Sequence, residues 1–328
     1  MPSEEETKAT RQALQTASTP PSASLFSTLI TANHILHHHE VVDAYGHVSV
    51  RNPQNPKTFF LSRSLAPALV SEREDLEEYY VEDASPVQEG EGPKGYAERF
   101  IHSEVYKKYK GVNSVVHSHS EAVIPFGISS VPLRPVFHMG GVMGHQVPVY
   151  DIANHYTTSD SLHSLLVTNQ HLGAGLAAGF NPSSSLAKGV TAIKNYLTSS
   201  SSTEVDFPPS PTVLMRGHGM TVVGTSIEEA VYRSIYACTN ARVQTTAMLM
   251  QGGYNLGLIA GRFGQGGGEK GANPGPAKQE GIHFLNERES RDAWTQNQRH
   301  AERPWKLWCR EVKELGLYSN KLGDPPGS

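Results

Sequence analysis

Apolar residues recur every three or four positions in some stretches of the chain and alternate with polar residues in others. The first pattern predicts helices and the second predicts strands, because these are the side-chain periods of the two structures. Helices are predicted at residues 25–40, 95–109, 161–179, 183–202, 226–250 and 289–318. Strands are predicted at residues 46–53, 57–64, 111–120, 132–138, 147–153 and 211–224, the last one broken by a Gly-His-Gly turn. Helices and strands interleave irregularly and no internal repeat is visible, which favours one α/β domain.

The pattern divides the chain into three segments. Residues 1–23 are rich in Ser, Thr, Glu and Pro, and this composition predicts a disordered N-terminal tail. Residues 24–258 contain the predicted α/β domain. Residues 259–328 are expected to form a flexible glycine-rich segment followed by a C-terminal helical extension that Pro304 interrupts.

Charge and composition narrow the function classes. The 28 basic and 32 acidic side chains give a net charge of −4 without a basic cluster, so a nucleic acid or an anionic membrane is not expected as a partner. No apolar run approaches the roughly 20 residues that a membrane helix requires. The first residues lack the apolar stretch of a secretory signal, and the two cysteines suit a reducing compartment. We therefore expect a cytoplasmic protein.

Two of the 16 histidines stand out by their spacing, in the stretch VVHSHS. Residues two apart on a strand project from the same face, so His117 and His119 can present two imidazoles to one ion. His218 lies between two glycines that separate two apolar strand segments, an arrangement that lets the backbone approach a bound group closely. Three histidines would leave a coordination position open, as at catalytic ions. Glu98, on a predicted helix that leads into the His117 strand, is a candidate fourth ligand or a base.

Four further histidines, His34, His37, His38 and His39, lie at the end of the first predicted helix. Three consecutive residues of a helix cannot share one face. A surface cluster, favoured by the helix C-terminus, is therefore preferred over a second metal site.

Taken together, these motifs resemble the class II aldolase/adducin family over roughly residues 25–255. That family has a helix-borne glutamate, then 19 residues to a VVH-x-H strand, and a third histidine in an HG turn. Glu98 precedes His117 by 19 residues, VVHSH stands at 115–119, and RGHGM supplies His218. The family loop GNxSxR is matched by GHVSVR at residues 46–51.

The resemblance implies a three-layer α/β/α sandwich with a mostly antiparallel central sheet, with residues 24–258 as the catalytic domain. It also implies a homotetramer whose active sites lie between subunits. His117, His119 and His218 would bind one divalent ion per subunit (zinc, manganese, iron or cobalt, with zinc or manganese favoured). Glu98 would be a ligand or an acid/base catalyst.

The chain departs from the sugar-phosphate aldolases of this family at the residues that hold the phosphate. His47 stands in place of the loop asparagine, FLSRSLAP lacks a Thr-Gly pair, and Tyr96 and Ala97 replace two serines. These departures disfavour a phosphorylated sugar. They make the chain more similar to the metal-dependent decarboxylases of the family, which remove a carboxylate from hydroxylated aromatic acids.

Five residues are predicted to contact the substrate. An arginine can hold a carboxylate through two parallel hydrogen bonds, which suggests this role for Arg51. The same loop contributes His47 and Ser49, while Tyr96 would border the site and His138 lies in a Gly- and Met-rich loop that could reach it.

The leading functional hypothesis is therefore a metal-dependent carbon–carbon lyase that decarboxylates a non-phosphorylated hydroxy-acid, aromatic acids included. The alternatives are a retro-aldolase that acts on a non-phosphorylated sugar or keto acid, an Fe(II) oxygenase, and a non-catalytic scaffold such as adducin.

Overall fold

The computed structural model describes residues 22–88, 95–181, 206–264 and 281–328, and for residues 258–264 it describes the helix without the side chains. Three sequence predictions lie wholly or mainly outside these residues: the N-terminal tail, the helix at 183–202 and the glycine-rich segment.

The centre of the fold is a mixed sheet of seven strands in the order β3-β2-β1-β4-β7-β6-β5. Its strands are β1 His47–Arg51, β2 Thr58–Ser62, β3 Leu76–Tyr80, β4 Ser114–Ser118, β5 Val149–Tyr150, β6 Thr212–Met215 and β7 Gly219–Gly224. The β5–β6 pair is parallel, and every other neighbouring pair is antiparallel. The α/β class and the central sheet predicted from the sequence are thus present.

The helices of the described residues are α1 Ala23–His38, α2 Arg99–Lys108, α3 Ile124–Ile128, α4 Gln170–Gly179, α5 Ile227–Gly264, α6 Glu287–Gln298 and α7 Glu302–Lys313. Short 3₁₀ turns lie at Pro67–Leu69, Arg73–Asp75, His138–Met143 and Ile152–Asn154. Strand β3 and the short helix α3 were not predicted.

Two predicted helices differ from the observed ones at their ends. Helix α4 begins only at Gln170, because the Asn169 side chain accepts a hydrogen bond from the Leu172 N–H and caps the helix there. The C-terminal helix is interrupted at residues 299–301 and not at Pro304. Pro304 lies in the first turn of α7, where the missing N–H has no intrahelical partner to lose.

The strand predicted at residues 132–138 does not form, and this prediction is wrong. Two prolines deprive the segment of backbone donors, so it cannot join a ladder. Side-chain amides of α5 replace the missing strand partner. Gln244 accepts from the Arg134 N–H and donates to the Pro132 carbonyl, while Asn240 accepts from the Val136 N–H and donates to the Arg134 carbonyl.

Two hydrophobic clusters flank the sheet, since successive strand residues point to opposite faces. Val116 and Val222 belong to one cluster, which also includes residues of α1, α5 and α7. Val115 and Val223 belong to the other, which includes residues of α2 and α4. Both faces are therefore covered by helices. No helix of the described residues has the length and apolarity needed to cross a bilayer.

Candidate metal centre and active site

The end of β4 and the turn between β6 and β7 bring the three predicted histidine ligands to one end of the sheet. His117 lies in β4 and His119 follows that strand directly, while His218 occupies the turn between β6 and β7. Strand β4 pairs with β7, so the end of one strand lies beside the turn that opens the other. Gly217 has a φ of +64°, which permits the tight turn. A side chain at Gly219 would collide with the carbonyl oxygen of Ser118.

The ring nitrogens of these histidines converge. His119 Nε2 is 3.0 Å from His117 Nε2 and 3.1 Å from His218 Nε2. Glu98, the residue before α2, has its Oε2 atom 3.7 Å from His117 Nε2 and 3.5 Å from His218 Nε2. The four ligand atoms lie within 4.8 Å of one another.

This donor set fits a divalent ion. A tetrahedral ion at 2.0–2.1 Å from each nitrogen keeps the nitrogens roughly 3.3 Å apart, close to the observed spacing. His117 is fully buried and His218 nearly so, and the Nδ1 atoms of both are enclosed. Of the two ring nitrogens in each of these histidines, only Nε2 can therefore bind the ion. Nδ1 of His119 lies 3.3 Å from Asp43, which gives this imidazole the carboxylate partner that often orients a metal-binding histidine.

The two oxygens of Glu98 have different partners. Oε1 accepts a hydrogen bond from the backbone N–H of Val167 at 2.9 Å, while Oε2 faces the histidines. Burial raises the pKa of this carboxyl, but hydrogen bonding with His218 and the nearby His117 outweigh burial and lower it to about 2. Glu98 is therefore ionised at neutral pH, as a metal ligand or a base must be.

His47 lies behind the cluster, on the neighbouring strand. It pairs with His117 in the sheet, and their ring centroids are 5.0 Å apart. Its side chain is buried, and burial together with neighbouring histidines lowers its pKa well below the ordinary value. Nδ1 of His47 is 2.7 Å from Nε2 of His102.

The prediction that Ser49 and Arg51 bind substrate conflicts with their contacts. Ser49 is fully buried, and its hydroxyl contacts His102 and Tyr106. The Arg51 guanidinium donates to four backbone carbonyls, those of Pro56, Tyr106, Tyr109 and Val112. Four of its five N–H donors are thus occupied by the protein, and the one that is left cannot hold a carboxylate through two parallel hydrogen bonds. Both residues support the sheet and α2 instead.

A cavity of about 370 Å³ opens beside the cluster. It is lined by Ala44, Tyr45, Ser64, Leu65, Ala66, Tyr96, Ala97, Glu98, His119 and Leu166. Tyr96 is buried, its hydroxyl donates to the Leu65 carbonyl, and its ring centroid is 4.5 Å from that of His47. Most of the lining side chains are apolar, and none of these ten residues is a lysine or an arginine.

His138 is not among the lining residues. It is exposed and begins a 3₁₀ turn that packs against α6, and Asn297 donates to its backbone carbonyl. The proposed contact between His138 and substrate therefore has no support in this structure.

Sequence reasoning missed Asp43, His102, Leu166 and Val167. His102 follows Glu98 by four residues, one helical turn, so the helical period could have placed both on one face. Asp43 lies four residues before His47, but no pattern marks it. Leu166 and Val167 belong to an irregular segment in which Leu165 has a φ of +67°. No local signal predicts which element such a segment approaches.

Comparison with known proteins identifies the family of this chain. The model of the Class II Aldolase and Adducin N-terminal domain matches residues 27–245. Decarboxylase tropJ of Talaromyces stipitatus is 44% identical over 300 residues, which cover 92% of this chain and 98% of that protein. The 3,4-dihydroxyphthalate decarboxylase of Arthrobacter keyseri is 25% identical over 240 residues, 69% of this chain and 80% of that enzyme.

A solved structure supports the fold. The aldolase II superfamily protein from Pseudomonas syringae is similar with a TM-score of 0.59 at 16% identity, covering 93% of this chain and 98% of that one.

Proposed function

Because this chain belongs to the class II aldolase and adducin family, we propose that it is a carbon–carbon lyase that decarboxylates a hydroxylated carboxylic acid with the help of a divalent ion. The observation that carries the proposal is the convergence of His117, His119, His218 and Glu98 beside an apolar cavity. The similarity to curated decarboxylases over most of the chain favours decarboxylation over aldol cleavage.

The three histidines would hold the ion through Nε2, with Glu98 Oε2 as the fourth ligand or as a base. We favour zinc or manganese, since three imidazoles and a carboxylate suit ions of this kind. When bound, such an ion supplies Lewis acidity that stabilises negative charge on a substrate oxygen.

The cavity favours an aromatic substrate without a phosphate group. Its apolar walls can pack against a flat ring, whereas a phosphate would find no lysine or arginine among the ten lining residues. A hydroxyl group next to the carboxylate would provide the oxygen on which charge accumulates.

The bond that breaks joins the ring carbon to the carboxylate. The ring carbon first takes up a proton while the adjacent deprotonated oxygen becomes a carbonyl. The electron pair of the breaking bond then moves toward that oxygen as carbon dioxide leaves and the ring regains its aromaticity. Ionised Glu98 would accept the hydroxyl proton at Oε2 and return it to the carbon. The apolar walls exclude water from the carboxylate, which favours its conversion to neutral carbon dioxide.

Family membership also underlies our remaining structural inferences. We infer that residues 24–258 form the catalytic domain, that the layers are α/β/α, and that four subunits assemble with active sites at their interfaces.

The test combines metal analysis with product analysis. Tag-free protein purified without chelator is expected to contain about one divalent ion per chain and to release carbon dioxide from hydroxybenzoic and dihydroxybenzoic acids. The His117→Ala/His119→Ala variant should lose both the ion and the activity. Release of an aldehyde from a sugar or keto acid would establish a retro-aldolase instead, and oxygen consumption would establish an oxygenase. Failure of the protein to bind any added metal would overturn the proposal.

A further inference from the structure

A chain of four buried side chains runs from α2 to the back of the candidate metal centre. The Tyr106 hydroxyl is 2.7 Å from Ser49 Oγ, which is 2.6 Å from His102 Nδ1. Nε2 of His102 is in turn 2.7 Å from Nδ1 of His47. Each of the four side chains is at most 1% exposed. The proposed reaction as described above assigns no role to Tyr106, Ser49 or His102.

The contacts of Tyr106 determine which way the hydrogen bonds run. Within the described residues, the only acceptor that the Tyr106 hydroxyl contacts is Ser49 Oγ. A buried O–H without an acceptor costs roughly 1–3 kcal/mol, so Tyr106 donates to Ser49. Ser49 then donates its single proton to Nδ1 of His102, and His102 must carry its proton on Nε2, from which it donates to His47.

His47 is therefore left with its proton on Nε2. The reverse direction would leave the Tyr106 hydroxyl without an acceptor, and it would also leave Nε2 of His47 as a buried acceptor without a donor. Burial lowers the pKa of His102 to about 3, so this imidazole is neutral and has only one proton to place. Burial also raises the pKa of Tyr106, which keeps the first donor of the chain protonated.

The unused N–H of His47 is enclosed among residues of the site, although His47 is not one of the ten residues that line the cavity. Nε2 of His47 is buried and has no hydrogen-bond partner among the described residues. Besides His102, the rings that contact His47 are His117, a candidate ligand, and Tyr96, which lines the cavity. Leaving a buried polar group without a partner costs free energy, which a hydrogen bond to a bound ligand would recover.

We propose that Tyr106, Ser49 and His102 are positioning residues that fix His47 as the Nε2–H tautomer, and that this N–H donates a hydrogen bond to a substrate oxygen beside the metal centre. This proposal rests on the function proposed above, because the oxygen that His47 stabilises belongs to the substrate of that reaction. In the reaction, a donor held in place needs no reorganisation when charge develops on that oxygen.

The tautomer can be observed directly by ¹⁵N NMR of histidine-labelled, zinc-loaded protein, because zinc is diamagnetic. The His47 signals are identified by their loss in a His47→Asn variant. We expect the wild-type His47 proton on Nε2. In Ser49→Ala the direction is no longer fixed, since Nδ1 of His102 then has neither a donor nor an acceptor, and a mixture of tautomers should appear.

Ser114→Ala is the matched control. Ser114 is also buried, and its hydroxyl donates to the backbone carbonyl of Ser49 without belonging to the chain. This variant should keep the wild-type tautomer even if it lowers the melting temperature. A wild-type proton on Nδ1, or an unchanged tautomer in Ser49→Ala, would overturn the proposal.

Activity provides a second readout. Ser49→Ala is expected to lower kcat about tenfold with bound metal unchanged, the size of effect expected when one hydrogen bond to a charged oxygen is weakened. A purely structural role would lower the melting temperature and leave kcat per folded molecule intact. If the wild-type protein decarboxylates nothing, the proposed function fails, whereas the NMR result still decides the direction of the chain.

Discussion

The histidines of the candidate site and the histidines at the end of α1 differ in what their ring nitrogens contact. In the site, His117, His119 and His218 point Nε2 at one another, 3.0–3.1 Å apart along the chain of contacts. At the end of α1, three of the four rings have polar partners of their own. His34 Nε2 is 2.7 Å from the Val70 carbonyl, and His37 Nδ1 is 2.9 Å from the Tyr318 hydroxyl.

Composition alone does not separate the two groups. His38, His39 and Glu311 also have ligand atoms close enough to hold an ion. In that group, however, Nε2 of His39 already lies 3.3 Å from Oε2 of Glu311. An imidazole with a partner of its own is already satisfied. Imidazoles whose Nε2 atoms converge on one another keep their lone pairs for an ion. The predictions that follow test this difference.

Glu98→Gln should produce the largest effect. The amide keeps an oxygen for the Val167 N–H but removes the ionised Oε2 that faces the histidines. We expect kcat to fall by roughly 10²- to 10⁴-fold, the usual contribution of a proton-transferring group. Steady-state kinetics beside metal analysis measures this.

Glu104→Gln is the control for that experiment, since Glu104 lies on the same helix, is buried, and pairs with Lys107 instead of the cluster. Its turnover should stay close to that of the wild type. Full turnover in Glu98→Gln would remove the role assigned to Glu98.

The second prediction concerns His34, which belongs to the histidines at the end of α1. Contrary to the expected surface cluster, His34 is only 2% exposed, and burial lowers its pKa from 6.5 to about 4. The folded state therefore binds this proton more weakly than the unfolded state. The stability that depends on neutral His34 is fully present above pH 6.5 and is lost as the pH falls toward 4, by about 3 kcal/mol.

His34→Gln should remove this pH dependence. The difference in unfolding free energy between wild type and variant, measured in urea at several pH values, should be constant above pH 6.5 and shift by about 3 kcal/mol in favour of the variant by pH 4. Exposed His300 gives the control variant His300→Gln, for which no such shift is expected. A pH-independent difference for His34→Gln would show that His34 is not buried in the neutral form.

Arg51 extends the comparison to a residue that sequence reasoning assigned to the substrate. Because its guanidinium donates to four backbone carbonyls, Arg51→Lys would leave several of them unpaired. We expect a loss of about 2 kcal/mol in unfolding free energy with KM unchanged. A raised KM at unchanged stability would instead restore the substrate-binding role.

These cases show which features of the fold and site can be predicted from the sequence and which cannot. The spacing of His117 and His119 and the glycines around His218 predicted the cluster, because strand period and turn chemistry are local properties. The direction of the Arg51 side chain was not predictable, since a long side chain follows whichever unpaired carbonyls the tertiary fold brings near. The same holds for residues 132–138, whose apparent strand is satisfied by Asn240 and Gln244 from a helix over a hundred residues away.

Asp43→Asn should produce the smallest effect. It tests whether Asp43, the partner of His119, matters for metal binding by the converging histidines. Asp43 lies 3.3 Å from His119 Nδ1, but its side chain is 51% exposed. Removing such a partner usually weakens metal binding 10- to 100-fold, and exposure to water places the expected loss here near the lower end, about tenfold. Competition with a chromophoric chelator measures the metal Kd.

The amide of the variant can still accept from the backbone N–H groups of Tyr45 and Gly46, which now donate to Asp43 Oδ1, so the loop should keep its shape. Asp160→Asn is the control, because Asp160 pairs with His171, which is not part of the cluster. Unchanged affinity in Asp43→Asn would mean that convergence of the nitrogens alone holds His119 in place. A loss equal to that of His119→Ala would mean that His119 adopts its ligating position only through Asp43.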